Sequence, residues 1–154
     1  MTQVTRDRPA APDAAVASDV RPVMLLTLNV PFEDAAVEFA VDSAAETGAE
    51  LYICDAIPLE YRSYVGHAAR QYAEAMNRVH LDAAARRSRE RGVRTSQVAF
   101  HNRRPVGTAI DVARDEGVGL LVFGADRNRL GRWTFRRAVR RVREGAPCLV
   151  WTAE

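Results

Sequence analysis

Residues 120–151 constrain the fold more than any other part of the chain. Four apolar residues, Leu120, Leu121, Val122 and Phe123, run into Gly124. An arginine-studded, helix-prone stretch follows, and Ala146, Pro147, Cys148, Leu149, Val150 and Trp151 form a second apolar run. A buried strand that stops at glycine and feeds a helix is where an α/β protein places an anion. The helix's first N–H groups have no intrahelical partner and point outward. Beyond Gly124, however, the positions that would lend bare backbone to a phosphate carry arginine. The layout of a nucleotide site is present without its usual surface.

The preceding segments repeat the alternation of strand and helix. Residues 23–28 are a continuous apolar run broken at Asn29 and Pro31, which suits a strand covered on both faces. Glu33 and Asp34 open a helix whose Val37, Ala40, Val41, Ala44 and Ala45 recur at spacings of three and four. Gly48 stops it, and residues 51–54 form strand two, closed by Asp55 and Pro58. Residues 61–91 read as a long helix, with Val65, Tyr72, Met76, Val79 and Ala83 as its apolar stripe and Arg70, Glu74, Arg78 and Asp82 as its charged one. Residues 95–100 are a third, more polar strand suited to a sheet edge. Pro105 starts a helix at the turn where a missing N–H costs nothing, Ile110 and Ala113 face inward from it, and Gly117 or Gly119 ends it. The order β-α-β-α-β-α-β-α-β demands a mostly parallel sheet with helices on both faces, and ligands in such sheets sit at the strands' carboxyl ends.

Length and composition bound the rest. A chain of 154 residues with 47% hydrophobic and 27% charged residues suits one domain, here residues 21–154, behind a tail. Residues 1–20 are rich in Ala, Pro and Asp without an apolar block, so they read as a disordered N-terminal tail and not as a signal peptide. No apolar run approaches the ~20 residues of a membrane span. The expectation is a cytoplasmic protein with reduced thiols at Cys54 and Cys148. All 22 basic residues are arginine, yet the net charge is only +2, so nucleic acid is not an expected partner.

Four local patterns, taken in order, resemble the universal stress protein family over about residues 21–152. Thr47, Gly48, Ala49, Glu50 and Leu51 are similar to the family's "GA.L" approach to strand two. Arg104, Pro105, Val106 and Gly107, with Ile110, precede a helix leading to residues 117–124 (GVGLLVFG), which resemble "aDLIVMG". Residues 145–150 (GAPCLV) are similar to the closing strand "APCPVLVV". The resemblance implies an open five-stranded parallel sheet in order 3-2-1-4-5 with helices on both faces, Rossmann-like and akin to the adenine nucleotide hydrolases. It also implies a homodimer joined through the C-terminal strand.

In ATP-binding members, an aspartate after strand one contacts the ribose, and G-x-x-G, nine residues, then G-S or G-T holds the phosphates. By position, the aspartate falls on Asn29 and the adenine-side residue after strand two on Ala56. Gly124 matches the first glycine, the second falls on Arg127, and the final pair falls on Arg136 and Arg137, followed by Ala138. The loop is one residue shorter than the pattern, with Gly131 as a displaced glycine. An arginine side chain in a phosphate loop fills the space the anion would take and forgoes the freedom of glycine. The expectation is therefore a binding or regulatory protein with no catalytic residues and no cofactor held in the family's usual way. The alternative is an ATP- or AMP-binding stress protein, with slow ATP hydrolysis, in which Arg127, Arg136 and Arg137 replace the glycine loop.

Residues 127–143 hold eight arginines and no acid, with Asp126 and Glu144 at the flanks. At helical spacing Arg132, Arg136, Arg140 and Arg143 share a face, leaving Phe135, Ala138, Val139 and Val142 for the sheet. A solvated face is one reading, and an anionic ligand or an acidic protein partner is the other. His67, His80 and His101 lack metal-ligand spacing, so no metal is expected. His101 lies near the expected cleft. Asp55 and Asp126 border it too, where carboxylates more often cap a helix or pair with arginine than do acid–base work. Trp133 is bulky for its place, and Trp151 suits either a dimer anchor or core packing.

Overall fold

The structure is a computed structural model that describes residues 3–7, 19–59 and 67–153. Its elements are β1 (Gln3–Asp7), β2 (Val23–Thr27), α1 (Asp34–Thr47), β3 (Leu51–Pro58), α2 (His67–Glu90), β4 (Thr95–Asn102), α3 (Pro105–Asp115), β5 (Leu120–Phe123), α4 (Arg127–Leu130), α5 (Arg132–Gly145) and β6 (Leu149–Thr152). The sheet order is β1-β4-β3-β2-β5-β6. Its last five strands are parallel and give the expected 3-2-1-4-5 arrangement. The central strands are apolar on both sides, as a doubly covered sheet requires. Val23 and Leu25 face α1 and α2, while Met24 and Leu26 face α3 and α5.

Four expectations need correction. Gln3–Asp7, inside the segment read as a disordered tail, pairs antiparallel with β4. Its alternation QVTRD has too little apolar content to stand out against the Ala/Pro-rich surroundings. Residues 8–18 of that tail lie outside the described residues. β4, expected at an edge, is consequently an interior strand.

Helix α2 buries a different stripe from the one expected. Leu81, Ala84, Ala85 and Ser88 are buried, whereas Met76, Val79 and Ala83 are exposed. Small alanines suffice where α2 lies close on the sheet, so the larger apolar residues gave the wrong phase. Val65 and the side chains of Arg70, Tyr72 and Glu74 lie outside the described residues.

Strand β3 runs four residues beyond Cys54. Asp55 therefore sits within the strand, in register with Thr27 and Ala99, and is 2% exposed. No disulfide joins Cys54 and Cys148. No helix among the described residues is long and apolar enough to cross a membrane.

Candidate functional site

The carboxyl ends of β2, β3 and β5 bring Asn29, Ala56 and Gly124 to one border of the sheet. Asn29 follows β2 at φ 56°, the left-handed region that asparagine tolerates better than most residues. Its N–H donates to Oδ1 of Asp55 at 2.7 Å. Burial drives the Asp55 carboxyl from its ordinary 3.8 to about 7, opposed in part by that hydrogen bond. Among the described residues, Asp55 thus neither caps a helix nor pairs with arginine, contrary to expectation. Ala56 is fully buried and offers a ligand no surface.

Gly124 is required for packing. A Cβ there would lie 2.9 Å from Leu25 Cδ1 and 3.0 Å from Ala36 Cβ. Its N–H donates to the Leu26 carbonyl, and its own carbonyl accepts from the Glu33 N–H. Both of its main-chain groups are therefore committed to the fold.

The turn that follows has few amides left for an anion. Asp126 N–H donates to the Pro31 carbonyl at 2.8 Å. The Glu33 carboxylate accepts from Arg127 N–H at 3.3 Å. The Asp126 carboxylate accepts from Asn128 N–H at 2.9 Å and from Arg129 N–H at 3.3 Å, capping α4. Leu130 and Gly131 donate to the carbonyls of Asp126 and Arg127. Two carboxylates thus stand where an N-terminal anion would. Sequence reading placed guanidinium groups in that role and missed Glu33. A Glu immediately before an apolar helix signals an N-terminus, but not which neighbouring turn it will reach. Asp126 does what strand-end aspartates usually do.

The arginines lie elsewhere. Arg127 starts α4, and its guanidinium carbon sits 5.4 Å from the centre of the Phe135 ring, a cation–π arrangement. Phe135, Ala138 and Val142 are buried against the sheet, as expected from their spacing. Ala138, placed by position in the phosphate site, is therefore core. Gly131 joins α4 to α5 at φ 90°.

Along α5 the arginines line two grooves. A cleft of about 580 Å³ is bordered by Arg127, Arg136, Arg140, Arg143 and Thr152 and by one carboxylate, Glu144, with Phe135 and Val139 as apolar wall. Arg143 donates to the Thr152 hydroxyl at 3.0 Å. A second groove, of about 470 Å³, is bordered by Arg132, Trp133, Arg136, Arg137 and Arg140. Arg127 and Arg136 thus share the first cleft, whereas Arg137 borders only the second. His101 lies on β4, beyond β3 from Asn29. No group of three His, Cys, Asp or Glu that could hold a metal occurs among the described residues.

A parallel α/β sheet with a glycine turn after β5 and a helix aimed at its carboxyl end defines a Rossmann-like protein. A profile of the universal stress protein family matches residues 20–153, and the chain belongs to that family. The fold is similar to a universal stress protein from Archaeoglobus fulgidus, at 16% identity and TM-score 0.67, covering 88% of this chain and 94% of that one. It is also similar to the Archaeoglobus fulgidus universal stress protein in complex with dAMP, at 18% identity and TM-score 0.65, covering 88% and 98%. The universal stress protein UspA from Lactobacillus plantarum, 19% identical over 88% of this chain and all of that one, gives a TM-score of 0.56. No curated protein sequence matches the chain.

Proposed function

We propose that this member of the family is a non-enzymatic binding or regulatory protein that does not hold ATP through main-chain amides. The observation that carries this reading is the capture of the Arg127, Asn128 and Arg129 N–H groups by the carboxylates of Glu33 and Asp126. A triphosphate there would have to displace two like-charged acceptors already hydrogen-bonded to those donors. The protein acts as a homodimer through β6. Leu149 on that strand is 76% exposed, and no described strand covers the outer edge of β6. Isothermal calorimetry with ATP and AMP, with and without magnesium, tests the ligand claim. Absence of heat at micromolar concentrations is expected. ATP bound tightly by a variant lacking the charges of Arg127, Arg136 and Arg140 would sink it.

A second reading is favoured by the first cleft, where Arg127, Arg136, Arg140 and Arg143 border one space. In this reading a nucleotide's phosphates are held by guanidinium groups in place of the glycine loop, as arginine forks allow. A solved relative in complex with dAMP supports nucleotide binding as a property within reach of the fold. Micromolar ATP or AMP affinity that is lost in Arg136→Ala would select it.

A further inference from the structure

The second groove of α5 presents an exposed aromatic ring among unpaired cations. Trp133 is 87% exposed, although tryptophan carries one of the largest apolar surfaces of any side chain. Around it stand Arg132, Arg136, Arg137 and Arg140, all exposed. None of the four has a carboxylate within 4.0 Å among the described residues. By contrast, Arg87 on α2 pairs with Asp34 and Glu38, and Arg91, just past the end of that helix, pairs with Asp42. The α1–α2 side of the sheet thus pairs some of its arginines with carboxylates, whereas these four on α5 stay open to the solvent.

We infer that this groove binds single-stranded nucleic acid, with a base stacked on Trp133 and phosphates on Arg132, Arg136, Arg137 and Arg140. Three features favour this occupant. Arg132, Arg136 and Arg140 recur every four residues, placing a cation about every 6 Å along the helix, a row that can follow a phosphate backbone. The indole ring supplies a stacking platform that any base can use, and guanidinium planes stack on bases as well. An acidic peptide would satisfy the cations but would leave the exposed ring without a flat partner.

The near-neutral net charge, which argued against nucleic acid at the level of sequence, averages a basic segment with an acidic remainder of the sequence. Residues 127–143 carry eight positive charges against a chain total of +2, so the remainder carries a net −6. A strand approaching α5 meets a local density of positive charge that the chain total does not reveal. The groove shares Arg136 and Arg140 with the first cleft, whereas Trp133, Arg132 and Arg137 border it alone. Loss of strand binding in Trp133→Ala with ATP calorimetry unchanged therefore separates this inference from the nucleotide readings above.

The test measures anisotropy of labelled oligothymidylate and oligouridylate on the full chain at low salt. Matched duplex, inorganic polyphosphate and polyglutamate serve as competitors. Tight binding to single strands is expected, with tryptophan emission quenched and the affinity falling steeply with salt. Trp133→Ala should weaken binding between about fivefold and about a hundredfold, and Trp133→Phe should retain most of it. Arg136→Gln and Arg140→Gln should each lower the salt slope by about one. Because these side chains are exposed, unchanged thermal unfolding of the variants is expected. No binding at low salt would overturn the inference. So would a duplex bound as tightly as the single strand, polyglutamate competing equally well, or quenching that survives Trp133→Ala.

Discussion

The main-chain N–H of Asn29 donates to Oδ1 of Asp55 at 2.7 Å, tying the turn after β2 to a carboxyl group buried in β3. The bond explains why a residue with a left-handed backbone is held there. It also sets a pH dependence. The folded state holds the Asp55 proton up to about pH 7, whereas the unfolded chain releases it near 3.8. Stability contributed by this group is therefore fullest below about pH 4, falls as pH rises toward 7, and is flat above. Asp55→Asn keeps an acceptor for Asn29 and removes the titration. Urea unfolding should find the two proteins alike at pH 4 and the variant more stable by roughly 2–4 kcal/mol at pH 7.5. Parallel pH curves for the two would show that Asp55 does not titrate in this window.

Gly124→Ala should destabilise the protein by about 1–3 kcal/mol, because the added methyl group meets Leu25 and Ala36 within 3.0 Å. No backbone strain contributes, since Gly124 has no positive φ. Denaturant midpoints measure the loss. A neutral substitution would mean that α1 can move outward freely, contrary to its buried alanine contacts at Ala36, Ala40 and Ala44.

Much of this architecture is visible in the sequence, because buried parallel strands are short apolar runs and their helices are punctuated by Gly48, Gly92 and Gly117, each at positive φ. The α5 periodicity also reads directly, since a helix with arginine outside and Phe135, Ala138 and Val142 inside has strong contrast. The α2 stripe does not, because alanines occupy both its buried and exposed faces. The site was legible in outline only. Gly124 and the arginines are evident, but the reach of Glu33 to Arg127 N–H spans 94 residues of sequence. Side-chain exposure is likewise invisible in a sequence: Trp133 projects into solvent, while Trp151 stacks on Phe39 at 4.5 Å and packs against the core.

Asp126 and Glu33 can be tested as occupants of the turn. Asp126→Ala removes the acceptor for two N–H groups at the start of α4 and should cost about 1 kcal/mol in thermal or urea unfolding. The same change, combined with Glu33→Gln, leaves donors and nearby arginines without their competing carboxylates. Phosphate or sulfate should then stabilise the double variant against heat more than it does the parent protein. Equal stabilisation of both would mean that these carboxylates do not govern anion access.

The two edges of the sheet have opposite fates. β1 lies along β4 through five paired residues, so the edge formed by β4 is covered. β6 pairs only with β5 among the described strands, and it carries Leu149 outward. An open edge offers a row of unpaired N–H and C=O groups to another chain, and a sheet with two such edges can extend without limit. The other outermost strand, β1, is only five residues long, and so short an edge is a poor template. Two-fold pairing through β6 therefore closes at two copies. Sedimentation should therefore give a dimer at tens of micromolar, and Leu149→Glu or a charge at Val150 should shift it toward monomer. Deleting residues 1–19 replaces the five-residue edge of β1 by the eight-residue edge of β4 and should yield species larger than the dimer. A monomer in the parent protein would remove the dimer proposal, and an unaltered dimer after the deletion would show that β1 does not guard the edge.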